Sequence, residues 1–382
     1  MRRVIAMLLC LLLLASSGCL SKGDVSEYAF VLCIGFERGD TFAYRIVLLI
    51  AMPKAGEEDG ATLSTSVCAA EARTLYEAVE TLNAGLPLRL RFSRTSLLLI
   101  AESLLEDGEI DRLMDFSLGA LDIHSNVRVM ATRGRMQELF EAMQSDADPS
   151  FSKTMKNIET LSTRSGTVID ARCRAVWEAL GSAPLDLVLP LIGKDKPEPQ
   201  PDGVGAEPYP KQAGALVQQA GNGVSVIGCA VFDGSRMAGT LSGLHTRLCA
   251  MARGVFSEGD LTLYHPEHGT ISVHLRAKRS PKVTLDGDAA SVRIQLEAVP
   301  LYPLSELEAD AALGAWLETE LCRMLGNLFE TLKAWNADAI GFGRTDAMRN
   351  PFRATEDWKE RYPSLSAQFD VSVTVLQAGG AA

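Results

Sequence analysis

Twelve consecutive apolar residues, Val4 to Ala15, stand between Arg2-Arg3 and the small residues Ser16-Ser17-Gly18, and no later stretch of the chain is as continuously apolar. A helix needs about 20 residues to cross a bilayer, so this run reads as the core of a secretory signal and not as an anchor. Everything beyond it is therefore expected to fold in water, outside the membrane it has passed. The 382 residues, at roughly 150 per domain, predict two or three domains, each able to bury its own core. A hydrophobic fraction of 47% with 22% charged residues is that of a globular chain and excludes disorder for most of it. The net charge of -11 speaks against nucleic-acid binding, which needs clustered Lys and Arg on phosphates.

Gly18 is followed by Cys19. A small residue immediately before Cys at the end of an apolar run resembles the lipobox of bacterial lipoproteins, in which the thiol is acylated and the Cys becomes the N-terminus. That resemblance implies a signal peptide over 1–18, a lipid on Cys19 and a short polar tether over 19–26. Buried acyl chains contribute about 0.8 kcal/mol per methylene, so two chains hold a protein on a membrane surface. Loss of Arg2 and Arg3 leaves the body still more acidic, and the lipid acts without a basic patch. The other reading of the same residues is a plain signal peptide and a soluble secreted product. Cys33, Cys68, Cys173, Cys229, Cys249 and Cys322 lie singly in apolar stretches. An exported chain could pair them as three disulfides, but a chain this long needs no staples and buried free thiols are the expectation.

Strand and helix signals alternate along the chain. Two apolar runs, Tyr28 to Phe36 and Phe42 to Met52, flank Arg38-Gly39-Asp40 and predict a buried hairpin. Leu75, Val79, Leu82 and Leu86 make the stripe of a helix over 70–86 that ends at Gly85 and Pro87. A strand at 96–101, a helix near 110–118, an alternating strand with Val127, Val129 and Ala131, and a helix with Met136, Leu139, Phe140 and Met143 follow. Pro197, Pro199, Pro201, Pro208 and Pro210, set among charged residues and Gly, predict an exposed linker or loop over 193–211. The division so predicted is an N-terminal α/β domain over 27–192 and a C-terminal α/β domain over 212–378. In the second, 223–232 reads as a strand, Ile271, Val273 and Leu275 alternate, and so do Val292, Ile294 and Leu296, with a turn signal at Asp286-Gly287. A helix over 305–335, with Ser305 and Glu308 as a capping box, and a strand over 369–376 close the chain. The fold class expected is α/β (α+β), multi-domain, with central mixed β-sheets covered by helices.

No set of residues promises catalysis. His265-Pro-Glu-His268, with His274 nearby, could be metal ligands, but Pro266 and Gly269 make it a turn and not a helix that aims two rings at one ion. Gly239-Thr-Leu-Ser242-Gly243 has its Ser one place late for a nucleophile elbow, and His245 is its only near base. Gly341-Phe342-Gly343 lacks the third Gly of a dinucleotide fingerprint. Asp146 with Asp148, and Asp286 with Asp288, lack the other ligands of a calcium loop and read as turns, and His124 reads as a cap or surface residue. No catalytic residue, metal or cofactor is expected, and the chain reads as one that binds or couples.

Four stretches, in order, resemble the Ger(x)C spore germination lipoproteins, the C subunits of germinant receptors. They are Ser16 to Cys19 with the opening 24–35; Leu97-Leu-Leu-Ile-Ala-Glu-Ser-Leu-Leu-Glu-Asp-Gly108; Gly228-Cys-Ala-Val-Phe-Asp-Gly234 running to Gly239-Thr-Leu-Ser-Gly-Leu-His-Thr-Arg247; and Asn336-Ala-Asp-Ala-Ile-Gly-Phe-Gly343 with Pro351, Trp358 and the last strand. His245 stands where the family's third motif usually has Glu. The resemblance implies a non-enzymatic, lipid-anchored subunit on the outer face of the spore's inner membrane. It would act with an integral-membrane A subunit and a permease-like B subunit of a germinant receptor. Arg247, Gly341, Phe342, Gly343 and Arg344 are the expected partner contacts, with a tight turn packed on the sheet as the alternative for the glycines. The alternative function is a stand-alone lipid-anchored solute-binding or hydrolytic protein.

Overall fold

The computed structural model describes residues 27–53, 63–143, 160, 165–182, 185–194, 224–265, 269–301, 310–350 and 356–376. The signal peptide, Cys19, the tether, most of the 193–211 segment, the 305–308 capping box, Asp146, Asp148 and Pro351 lie outside the described residues.

The chain opens with the expected hairpin, β1 (Tyr28–Glu37) and β2 (Tyr44–Pro53), paired antiparallel. β3 (Leu63–Ala72) extends it, so the helix expected from residue 70 begins at Leu75 instead, as α1 (Leu75–Gly85) behind a Thr74 cap. The short β4 (Arg89–Arg91) and the fully buried β5 (Leu97–Ala101) run parallel to β1. Then come the one-turn α2 (Glu102–Glu106) and α3 (Ile110–Asp115), which continues as a wider turn over Phe116–Ala120. β6 (Arg128–Arg133), α4 (Met136–Met143), α5 (Cys173–Ser182) and β7 (Val188–Lys194) complete the parallel part.

Sheet membership does not divide at 193–211. The chain returns beyond that segment as β8 (Val224–Asp233), antiparallel to β7, and turns at Gly234 into β9 (Arg236–Leu241), so both strands belong to the first, nine-stranded sheet. The physical reason is pairing: β7 without β8 would leave a buried strand with open N–H and C=O groups, and the antiparallel return satisfies them. α6 (Gly243–Arg253) then leads to a second sheet of β10 (Glu258–His265), β11 (Gly269–Ala277), β12 (Lys282–Asp286) and β13 (Ala289–Pro300). Gly287, at φ +58, and Asp288 form the two-residue turn of the β12–β13 hairpin, so the turn signal at Asp286-Gly287 follows a strand, β12, that lies between the two alternating runs. α7 (Asp310–Ala334), α8 (Phe342–Arg349) and α9 (Glu356–Arg361) precede β14 (Ser366–Val375), which joins β13 in parallel.

The fold is thus a mixed α/β architecture with two mixed sheets and covering helices. One face of the first sheet buries Leu98, Ile100 and Val129 under α1, α3 and α5; the other buries Leu97, Leu99 and Met130 under α4. The third core joins the two sheets. Cys229 and Val231 of β8 pack with Leu248 and Cys249 of α6, with Val273 and Val292 of the second sheet, and with Leu317, Leu321, Leu325 and Leu328 of α7. Phe329 sits at the hub of this core, its ring 5.8 Å from that of Phe342, 6.2 Å from Tyr362 and 6.3 Å from Phe369. Truncation there removes a fully buried aromatic from three neighbours at once. Phe329→Ala is expected to cost about 3–5 kcal/mol, read as a lower urea midpoint, whereas Phe329→Leu should cost less than half of that.

Candidate functional site

Six hydrogen-bonding side chains converge where β7 and β8 of the first sheet meet the chain that leaves α7. Asp338, 1% exposed, turns its carboxylate back on the backbone that follows it. Its Oδ1 accepts the N–H groups of Gly341 at 2.8 Å and Phe342 at 3.0 Å, and its Oδ2 accepts that of Gly343 at 2.6 Å. The indole N–H of Trp358 donates a fourth bond to Oδ2 at 3.1 Å. These are the first N–H groups of α8, which an α-helix cannot satisfy internally, so the carboxylate acts as a cap placed ahead of the helix. Gly341 makes the turn possible. Its φ is +94, and a Cβ there would approach Leu185 to 2.9 Å.

Asp338 is joined to the first sheet through its own backbone. Its N–H donates to Asp186 Oδ2 at 2.6 Å, and Asp186, 4% exposed, sits two residues before β7. Lys359 Nζ on α9 donates to both Asp186 oxygens at 2.7 Å, to Asp233 Oδ1 at 2.6 Å and to the Asn336 carbonyl at 3.0 Å. Tyr362 donates from its hydroxyl to the Ala337 carbonyl at 3.1 Å. The cluster is satisfied as a set, which is the condition for burying charge at all. Burial pushes the Asp338 carboxyl up to about 6, against the lowering pull of the three backbone N–H bonds, so desolvation outweighs hydrogen bonding there. Burial, with Asp338 close by, also holds the Tyr362 phenol well above its ordinary value.

The other residues singled out in the sequence fall into separate places. Ser242 and His245 are both buried; Ser242 caps α6, accepting the His245 N–H at 3.4 Å, and its Oγ lies 2.9 Å from His245 Nδ1. His245 thus reaches the cap from the position where a capping-box Glu would sit, and the pair holds a helix end. Arg247 is half-buried on the same helix; its Nε donates to the Ser165 carbonyl at 2.7 Å and its Nη1 to the Asp260 carbonyl. Burial pushes its guanidinium below the usual value. Of the residues at the glycine turn, Phe342 and Gly343 are buried and Gly341 is half-buried, whereas Arg344 is exposed. His265 ends β10 with its ring 4.7 Å from that of Trp316, and residues 266–268 lie outside the described residues. His274 Nδ1 is 2.6 Å from Asp260 Oδ1 on the exposed face of the second sheet. Asp288 pairs with Arg361, and His124 Nδ1 accepts the Asn126 N–H at 3.3 Å. Among the described residues no three His, Cys, Asp or Glu side chains gather in a metal-binding arrangement. The six described cysteines are free thiols, and burial pushes Cys229 up to about 12 and Cys249 up to about 11, far from nucleophilic thiolates.

Comparison with known proteins places these features in one family. Residues 21–194 match the family described as the spore germination protein N-terminal domain, and residues 227–379 match the C-terminal domain described as spore germination B3/GerAC-like. The chain is 25% identical over 409 residues to spore germination protein KC of Bacillus subtilis (strain 168), covering 98% of this chain and 96% of that protein. Its fold is similar to the crystal structure of the GerBC protein, with a TM-score of 0.51 at 13% identity over 90% of this chain and 96% of that one.

The raised Asp338 carboxyl has a defined pH signature. Its folded value of about 6 lies above the ordinary 3.8, so the folded state binds the proton more tightly than the unfolded state. Its contribution to stability is therefore complete below about pH 4 and is lost as pH rises through about 6, a difference on the order of 3 kcal/mol. Unfolding of the wild type at a series of pH values should show that component, and Asp338→Asn should lack it. Since the Asn amide group would face an N–H donor in place of an acceptor, the variant should also be less stable throughout.

Proposed function

Because the chain belongs to the spore germination family of GerAC-like proteins, we propose that it is the lipid-anchored C subunit of a germinant receptor, held on the outer surface of the spore's inner membrane through Cys19 and acting with integral-membrane A and B subunits. The observation that carries this reading is the pairing of a folded body with a short N-terminal signal. No helix among the described residues is long and apolar enough to cross a membrane, while the apolar run at 4–15 ends in Gly18-Cys19. A lipid on Cys19 restricts the body to a thin layer beside its partners. The local concentration so gained lets a weak interface stay occupied.

The body is suited to coupling and not to turnover. Its buried polar cluster is spent on helix caps and on joining the two sheets, and the thiols of Cys33, Cys173, Cys229 and Cys249 and the Ser242–His245 pair are enclosed. Of the residues expected at the partner interface, Arg247, Gly341, Phe342 and Gly343 work inward, and the exposed Arg344 on α8 is the one we retain as a contact, with Met348 exposed on the same helix.

Cys19→Ala tests the anchor directly. After fractionation of spores, the wild type is expected with the inner membrane, together with a permease-like protein and a second multi-spanning protein. The variant is expected in the soluble fraction with an unchanged thermal midpoint and a lost germinant response. A variant that stays on the membrane in spores that germinate normally would refute the reading.

A further inference from the structure

A cleft of about 410 Å³ opens between the two halves of the fold, within the roughly 300–1,000 Å³ of small-molecule sites. One wall is apolar, from Ile169, Val176, Leu187 and Val188, which belong to the segment before α5, to α5 and to the start of β7. The lining also includes Arg253, from the last turn of α6, and Arg344 of α8, whose charges are close enough to act on each other. Two cations from different elements facing an apolar wall are a costly arrangement unless something pairs with them.

Among the described residues, no carboxylate forms an ion pair with either of them. Arg253 Nη1 donates to the Ala339 carbonyl at 3.1 Å. Asp338 is near Arg253, but its oxygens are taken by Gly341, Phe342, Gly343 and Trp358. The acids that line the cleft each have a cation of their own. Asp170 is bound by Arg128 and Arg172, Glu178 by Arg174, and Asp186 by Lys359. Burial pushes the Arg253 guanidinium below its ordinary value and outweighs the pull of the nearby Asp338 charge, with Arg344 adding to the lowering. Arg253 is half-buried and lines the cleft.

We propose that this cleft binds a small organic carboxylate, its anionic head between Arg253 and Arg344 and its apolar body against Ile169, Val176 and Leu187. Guanidinium forks match carboxylate geometry and form charge-assisted bonds, and the aliphatic wall favours a branched hydrocarbon body over a polar one. The inference rests on the cleft alone and stands apart from the receptor reading: a chain released by Cys19→Ala should bind equally well.

The probe is 4-methylpentanoate, titrated into the full chain by ligand-observed NMR, with neutral 4-methylpentanamide as the matched control. Saturable binding of the acid and none of the amide is expected. Arg344→Gln, at an exposed side chain with no bond that folding relies on, should keep the wild-type thermal midpoint and weaken binding about tenfold or more, the loss of one charge-assisted fork. Arg344→Lys should restore part of it. Absence of saturable binding, equal binding of the amide, or undiminished binding by a folded Arg344→Gln variant would each overturn the proposal. If the free acid fails to bind while Arg344→Gln alone strips the membrane companions, the two arginines serve a carboxylate on a partner chain, and the small-molecule site is likewise refuted.

Discussion

A carboxylate buried without a cation of its own is what the rest of this structure is arranged around. Asp338 is kept by four N–H donors, three of them from the backbone it precedes, and its own N–H is fixed by Asp186. Asp186 in turn is held by Lys359, so a chain of hydrogen bonds runs from the edge of β7, through the end of α7, to α9. Two halves that pack only through apolar faces could slide past one another. A charged network with one satisfied geometry cannot, because each shifted position strands a buried charge, at a cost of about 3–5 kcal/mol when one partner is lost. The apolar seam of Cys229, Leu248, Val273 and Leu317 supplies cohesion, and the polar cluster supplies register.

Much of this was visible in the sequence where a segment has one wet face and one dry face. β11, with Ile271, Val273 and Leu275 buried in alternation, and α7, with Leu317, Leu321, Leu325 and Leu328 on one stripe, carry their period openly. The segments that escaped notice have no such contrast. β3 is built from Ser, Thr and Ala, whose alternation is weak, and its pairing with β2 and not its side chains makes it a strand. α6 lies between the two sheets and buries residues all round, from His245 to Ala252, so it has no polar stripe to read. β8 was legible as a strand over 223–232, but a composition change in the loop before it says nothing about which sheet the chain rejoins.

The site shows the same division. An Asp three to five residues ahead of Gly-Phe-Gly is a local capping pattern, and the motif at 336–343 could have flagged Asp338 by that chemistry alone. Its link to the first sheet is Asp186, 152 residues away in sequence, and Asp186, Asp233 and Lys359 carry no local signal. What looked like catalytic fragments, Ser242 with His245 and the glycines at 341 and 343, are ends of helices drawn inward. The polar residues of this body are thus spent on holding two sheets in one geometry.

The claim that the cluster around Asp338 makes the two sheets one cooperative body is tested most directly by hydrogen exchange, followed segment by segment under mild denaturant, in the wild type and in Lys359→Met. The account predicts that in the wild type strands β7 and β8 and strands β11 and β13 open with one common free energy. In the variant, with Asp186 left unpaired, the second sheet should open at lower free energy than the first. Equal protection of both sheets in Lys359→Met, at the wild-type level, would contradict it.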